Sequence, residues 1–403
     1  MNRIIVIADD ITGAAEIAGI AHRYGLRTKL SLPQPLPRRG EGNLCSPLGE
    51  EQGEADVIVI ATDARSYGAE EAARITKEAL KCLTVLPSDH IFRKTDSALR
   101  GNVKEELDAI LSSPSLEGRV GVGSALYMPA NPSKGRIIRD GVYYISSPPG
   151  GTKGGFVPLH KTDFSFDPEF PAWSSRLDER FPGLEYANAE TKDDVDHAVE
   201  KALAEGKLLA GAADLFCSLV EHTFGLRSAQ TEPFNGLPRD SSLLVVQGST
   251  QSKTFDLGIP IETMPLDVFY EKANPSTWNP TPGKSGVILS IGDKEVRSGK
   301  AAAVYLRNAM AEVTCTVFSR HKFDELIVEG GATAFAILSR LPYSAFNITN
   351  EIAPGVVRLQ PIGHHDVHIT LKPGSYSWGK TPLGPPSRGR MKDSFTGKPL
   401  IYN

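Results

Sequence analysis

Short apolar runs of strand length alternate with helical spacings through the first part of the sequence. Arg3–Ala8 (RIIVIA) is an unbroken apolar run, and Thr12–Tyr24 then places Ile17, Ile20 and Ala21 at helical intervals before Gly25 ends the pattern. Thr28–Ser31 and Val57–Thr62 (VIVIAT) read as further strands and Ala69–Leu83 as an amphipathic helix. His90–Arg93 reads as another strand and Val103–Leu111 as another helix. Strand–helix alternation of this kind predicts a parallel, doubly wound sheet.

The pattern breaks at 223–242 (TFGLRSAQTEPFNGLPRDSS), which is polar and interrupted by Pro and Gly, and restarts with the apolar LLVVQG. At 403 residues the chain is long for one ordinary core. The boundary is therefore placed there, giving domains 1–225 and 226–403. In the second, a strand over Ser242–Gln247 ends in GST (248–250), and GVILSIG (286–292) leaves through glycine. ELIVEGGATAFAILSRL (325–341) reads as strand, glycine turn and helix, and VHITLKPGS (367–375) as strand into glycine loop. Open α/β sheets build ligand crevices at such strand exits. The expected architecture is α/β with two domains, each a largely parallel sheet flanked by helices, and an active site in the cleft between them. Residues 32–55, rich in Pro and Gly, read as an exposed insertion without chemistry, and 146–155 (SSPPGGTKGG) as a flap.

Charge narrows the partners. A net charge of −4 and a pI near 6.2 leave no footprint for nucleic acid, though local basic clusters can still hold small anions. No run of 18 apolar residues suggests a membrane span, and MNRIIVIADD reads as a strand rather than a leader. Cys45, Cys82, Cys217 and Cys315 are far apart with no C-x-x-C pair, which fits a reducing cytoplasm. A homodimer is left open.

Gly374 to Thr381 fits G-x-x-x-x-G-K-[ST], the phosphate-cradling P-loop. That motif needs a helix directly after it, and Pro382, Pro385 and Pro386 forbid one. What remains is Lys372-Pro373-Gly374-Ser375 at a strand end: a cation, a hydroxyl and unhindered amides, able to nest an anion without a helix. A plain β-turn is the bland alternative. Gly248-Ser249-Thr250 and EGGATA (329–334) add two more small-residue loops, and the three together suggest a nucleotide site.

In the first domain, ADDITGAAEIAG (8–19) sets Asp9 and Asp10 at a strand end, with Thr12 and Gly13 where a helix begins. Asp10 or Thr12 reads as an N-cap, while the paired carboxylates suit magnesium contact, hydroxyl recognition or a general base. FRKTDSALRGNV (92–103) gathers Lys94, Asp96, Ser97, Arg100 and Asn102 between strand and helix. Its bland reading is a solvated, self-capping loop. Its sharper reading is a pocket in which the cations match a carboxylate or phosphate and the others match hydroxyls. Arg65, at a third strand end, is a candidate carboxylate fork. GHHDVH (363–368) could hint at a metal, but His364 and His365 point opposite ways ahead of a strand, and the metal ligands stay unknown. Trp173, Trp278 and Trp378 read as packing or rim residues, with Trp378 the one beside a glycine loop.

Taken in order, IADDITGAAEIAG, TDARS, KTDSALRGNV, MPANPSKGR…DG, GST, EGGATA, EIAPGV and LKPGSYSWG resemble the pattern of the four-carbon acid sugar kinases over residues 3–380. The resemblance implies a two-domain, cytoplasmic enzyme that phosphorylates aldonic acids such as threonate, erythronate or their oxo forms with ATP and Mg2+. It places the acid on Asp9 or Asp10, Thr12, Arg65 and the run Lys94, Thr95, Asp96, Ser97, with Arg100, Gly101 and Asn102 in support. It places ATP against Gly248, Ser249, Gly330, Gly331, Ala332, Thr333, Lys372, Gly374 and Ser375. Many relatives carry Asp where this chain has Ala332. The proton acceptor is expected at Asp9 or Asp10 first and Asp96 second, with Lys94 stabilising the transferring charge. Two other classes are weighed. An oxidoreductase on a Rossmann sheet lacks G-x-G-x-x-G after the first strand. An idle sensor that binds ATP or a sugar acid is compatible with Ala332.

Overall fold

The apolar runs that mark the strands are buried: every residue of Arg3–Ala8, Val57–Ala61, Leu243–Gln247 and Glu325–Glu329 is shielded from solvent. This is the condition of a parallel sheet covered on both faces. A computed structural model describes residues 2–32, 55–81, 83–114, 123–147, 155–167, 170–226, 234–238, 240–248, 257–292 and 299–374. The expected insertion over 33–54, most of the flap (148–154), Ser249, Ser375 and Trp378 lie outside the described residues.

In chain order come β1 (Arg3–Ala8), α1 (Ile11–Arg23), β2 (Thr28–Ser31), β3 (Val57–Ala61), α2 (Ala69–Lys81), β4 (Asp89–Lys94) and α3 (Val103–Leu111). Next are β5 (Ala125–Met128), β6 (Arg136–Arg139), β7 (Val142–Ser146), β8 (Phe156–Pro158), α4 (Leu177–Arg180) and β9 (Glu185–Tyr186). The first part closes with α5 (Lys192–Ala204), β10 (Leu208–Gly211) and α6 (Ala213–Phe224). The second part holds β11 (Leu243–Gln247), β12 (Ile261–Thr263), α7 (Leu266–Phe269), β13 (Gly286–Ser290) and α8 (Lys300–Arg320). It ends with β14 (Glu325–Glu329), α9 (Gly331–Leu338), β15 (Ala345–Ala353), β16 (Val356–Pro361) and β17 (His368–Lys372).

Fourteen strands form one sheet, ordered β12-β13-β11-β14-β17-β16-β15-β2-β3-β1-β4-β10-β5-β9. Its two ends are parallel blocks, as the alternation predicts. The expectation of two separate sheets does not hold, because the antiparallel hairpin β15–β16 bridges them. β16 pairs with β17, while β15 pairs with β2 through Ala345–Ser31, Phe346–Leu30 and Asn347–Lys29. The parallel blocks therefore run in opposite senses. Ordinary twist, about 20–25° per strand, turns the direction by about 120–150° over the six steps from β14 to β1. Twist of that size swings the exits of the two blocks towards one another.

Helix α1 holds this junction shut. It is buried from Ile11 through Ala21 apart from Thr12, and it packs on β15, β16 and α9 as well as on β2 and β3. A helix enclosed on nearly all sides needs small residues, which the sequence supplies as Ala14, Ala15, Ala18 and Gly19. A Cβ on Gly19 would lie 2.8 Å from Val357 Cγ2. Arg23 and Glu351 pair at 3.1 Å across the same seam.

A second sheet, β6-β7-β8, is antiparallel. Asp140-Gly141 turns β6 into β7 with φ of 50° and 73°, the Asp-Gly hairpin signature. The segment entering β6 is clamped. Asn131 and Arg136 pair through backbone bonds of 2.8 and 3.2 Å, and Asp214 accepts from the Ser133 N–H and hydroxyl at 2.8 and 2.7 Å. Among the described residues no helix is long and apolar enough to cross a membrane.

Candidate active site

The exits of β1, β3 and β4 converge because these strands are neighbours in register, Ala8 lying opposite both Ala61 and Lys94. Asp10 caps α1: its Oδ1 accepts the Gly13 N–H at 2.8 Å and its Oδ2 accepts the Thr12 hydroxyl at 2.6 Å. From the β3 exit, Arg65 donates through Nε and Nη2 to Asp9 at 3.0 and 2.8 Å, and through Nη1 to Asp10 at 3.1 Å. The same Nη1 lies 3.6 Å from Asp96 Oδ1. Arg100 forks onto Asp96 with two bonds of 2.9 Å and reaches Asp167 at 3.5 Å.

Lys94 sits at the end of β4, with Nζ 2.9 Å from the Thr95 carbonyl and 3.4 Å from Glu16 on α1. Lys134 holds the other oxygen of Glu16. Thr95 is buried; its N–H donates to the Gly211 carbonyl at 2.9 Å, and its hydroxyl has no partner among the described residues. The Ser97 carbonyl accepts from the Tyr143 hydroxyl at 2.6 Å, while its Oγ accepts from Arg136 Nη1. Asn102, at the start of α3, donates to the Tyr67 carbonyl at 3.0 Å.

Burial works to raise the Asp10 pKa, but Arg65, Lys94 and the two hydrogen bonds together hold it below the usual carboxylate value. The same contest at Asp96, decided by Arg65 and Arg100, depresses that carboxyl strongly. Asp63 behaves oppositely. Burial pushes it up to about 7, against the opposing influence of Ser66 and Arg307 and with help from Asp10.

The second set of loops also converges. Gly330 N–H donates to the Lys372 carbonyl at 2.9 Å and Thr333 Oγ1 to the Gly248 carbonyl at 3.4 Å. Lys372 Nζ lies 3.3 Å from Glu329 and within 3.3 and 3.4 Å of the Pro373 and Gly374 carbonyls. Gly330, lacking a side chain, cannot cap α9, and Ala332 is exposed in its first turn. The sets meet at Thr12: a Cβ on Gly331 would lie 2.6 Å from Thr12 Cγ2.

The structure thus brings together Asp9, Asp10, Thr12, Arg65, Lys94, Thr95, Asp96, Ser97 and Arg100, with Asn102 on the outer side. It separately gathers Gly248, Gly330, Gly331, Ala332, Thr333, Lys372 and Gly374. Sequence reasoning missed Asp63, Glu16, Lys134 and Arg136. Asp63 stood inside the quoted TDARS, and Lys134 and Arg136 inside NPSKGR, so the signal was present without a role attached. The histidines lie elsewhere: His364 stacks edge-on against Tyr343 at 4.9 Å, and His368 faces Gln360 at 3.4 Å.

A family model described as a sugar-binding N-terminal domain matches residues 4–212, and one described as a nucleotide-binding C-terminal domain matches 283–376. A D-erythronate kinase of Heliobacterium modesticaldum is 32% identical over 42% of this chain. That match, like those to two D-threonate kinases, of Salmonella typhimurium and Bordetella bronchiseptica, spans between 34% and 37% of the relative's own length. A 3-oxo-tetronate kinase of Methylobacterium radiotolerans is 24% identical over 92% of this chain and 95% of its own. A crystal structure from Salmonella typhimurium LT2 shares the fold, with TM-score 0.63 and 18% identity over 93% of this chain and 96% of that one. With its first half matched as sugar-binding and its second as nucleotide-binding, this chain belongs to the four-carbon acid sugar kinase family.

Proposed function

We propose that this protein transfers the terminal phosphoryl group of ATP to a hydroxyl of a four-carbon sugar acid of the erythronate, threonate or 3-oxo-tetronate type. Residues 1–225 hold the acid and 226–403 the nucleotide, in a cytoplasmic setting, and the reaction takes place in a cleft between them. The observation that carries this reading is the contact of Thr12 with Gly331. It sets a cluster rich in hydroxyl-binding and charged groups against the uncapped start of a helix. Helix starts of that kind favour phosphate.

Kinases act chiefly by positioning and charge neutralisation, and this chain's groups divide along those lines. Asp10 and Thr12 orient the acceptor hydroxyl beside Gly331. Lys94, at the end of β4 and held against Glu16 of α1, offsets charge on the transferring group. Asp9 and Asp96 hold Arg65 and Arg100 in place rather than accept protons, since both are committed to arginine. Asp63 adjoins this cluster at the β3 exit, close enough to Asp10 to feel its charge, and burial pushes its carboxyl up to about 7; it is the group we assign to take the hydroxyl proton. ATP fits the amides of Gly331, Ala332 and Thr333 with Lys372 and Gly374, and it supplies the phosphoryl group. Asp10, bonded to the Thr12 hydroxyl, is the carboxylate that would hold magnesium, which would supply charge neutralisation. Among the described residues no cluster of three acids, histidines or cysteines forms a dedicated metal cage.

A coupled assay of ADP release with MgATP tests this over erythronate, threonate and 3-oxo-tetronate isomers. Turnover dependent on one of these acids is expected. ATP binding without acid-dependent ADP release would instead support an idle sensor, the reading compatible with Ala332.

A further inference from the structure

Four cations that line the acid-binding cluster, Arg65, Arg100, Lys94 and Lys134, are already paired with acids. All three nitrogens of Arg65 face Asp9, Asp10 or Asp96. All three of Arg100 face Asp96 or Asp167. Lys94 and Lys134 share Glu16. Arg136 differs. Its Nη1 donates to Ser97 Oγ, its side chain also bonds the Tyr143 hydroxyl, its guanidinium lies over the Phe164 ring at 5.9 Å, and it has no carboxylate partner among the described residues.

We propose that Arg136, and not Arg65, receives the carboxylate of the sugar acid. With Nη1 fixed on Ser97, the Nε–Nη2 edge of the planar fork is the edge that a carboxylate takes with two parallel bonds. The fork is preorganised. The backbone of Arg136 is bonded to Asn131, the segment between them is pinned by Asp214, and the Phe164 ring holds the guanidinium plane. Ser97 follows Asp96 directly, so the fork adjoins the Asp96–Arg100 side of the cluster. A short acid held by its carboxylate at Arg136 presents its hydroxyls towards Asp10 and Thr12. Arg65 then has a different task, keeping three neighbouring carboxylates together in a half-dry site.

The inference rests on the proposed reaction, and one set of measurements separates the two. KM and kcat are measured for the wild type, Arg136→Met and Arg136→Lys with the preferred four-carbon acid. They are measured again with the neutral tetritols erythritol and threitol, which lack the carboxylate. Arg136→Met is expected to raise KM for the acid about 100-fold, as loss of a desolvated charge pair does. The loss with the tetritols should be at least about tenfold smaller than the loss with the acid, and Arg136→Lys should recover part of the latter. An acid KM within about threefold of wild type, or equal losses for acid and tetritol, overturns the assignment. Should Arg136→Met fail to fold by circular dichroism, Arg136→Lys and Arg136→Gln decide it by the same acid-to-tetritol ratio. A wild type without acid-dependent ADP release would instead overturn the reaction itself.

Discussion

Asp63 enters the strand-end cluster in the left-handed region, φ 54°, with its carboxyl buried beside Ser66. Its pKa of about 7 places proton uptake where a general base works best near neutrality. The acidic limb of kcat against pH should therefore fall with an apparent pKa of about 7 in the wild type and vanish in Asp63→Asn. Stability carries an independent signature. Between the ordinary aspartate value, about 3.9, and 7, the folded chain holds a proton that the unfolded chain has released. The contribution of this group therefore falls as pH rises through that window. Asn tolerates the left-handed backbone, so Asp63→Asn should gain on the wild type by roughly 2–3 kcal/mol more at pH 8 than at pH 5. Thermal melts at the two values check this, and an equal gain at both rules out a buried, titrating Asp63. None of this could be read in the sequence, because TDARS offers an acid and an arginine at a strand end with nothing to rank them. Arg65 stood out as a fork, but its partners Asp9 and Asp10 lie more than fifty residues away in sequence, and only the register of β1 with β3 joins them.

At the scale of elements, periodicity carried most of what was found. β1, β2 and α3 have the bounds that their apolar spacing predicts, and α1, β3, α2, β4 and β11 differ by a residue or two at an end. The hairpins were harder. Asp140-Gly141 is a strong turn signal between β6 and β7, and Gly355, with φ 77°, turns β15 into β16, yet neither flank shows the clean alternation that marks a strand. Those two hairpins are the ones that matter here, since one presents Arg136 and the other links the parallel blocks. The contact of α1 with α9 gives a sharper test. Gly331→Ala would press a methyl into Thr12 Cγ2, which is held by the hydroxyl's bond to Asp10. A loss of at least about tenfold in kcat is expected, with about 1–3 kcal/mol of destabilisation from overpacking. Thr12→Ser removes the colliding methyl and keeps the hydroxyl, so the double variant should recover most of both. Failure of that rescue in activity and melting would mean that the two loops do not meet there.

For the molecule as a whole, the continuous sheet sets how it unfolds. β2–β15 pairing and the burial of α1 against both blocks tie the halves together, so scanning calorimetry should record one transition. Saturating acid and saturating ATP should each move that same peak. Ligand at about a hundred times its dissociation constant adds roughly 2.7 kcal/mol, or roughly 3 °C for a chain of this size. Two peaks, each answering to a single ligand, would show the halves to be energetically separate. Such a tie was not legible in the sequence, where a polar, Pro- and Gly-broken stretch at 223–242 looks like an ordinary linker.

The join between Thr28–Ser31 and Ala345–Ala353 also has a consequence in time. A ribosome makes the first of these strands more than three hundred residues before its neighbour. Until then the nascent chain carries an open, apolar sheet edge at Leu30 that only the late hairpin can close. Assembly of the finished enzyme thus waits on almost the last of its described segments, and a chain stalled short of residue 345 would be released with that edge unguarded.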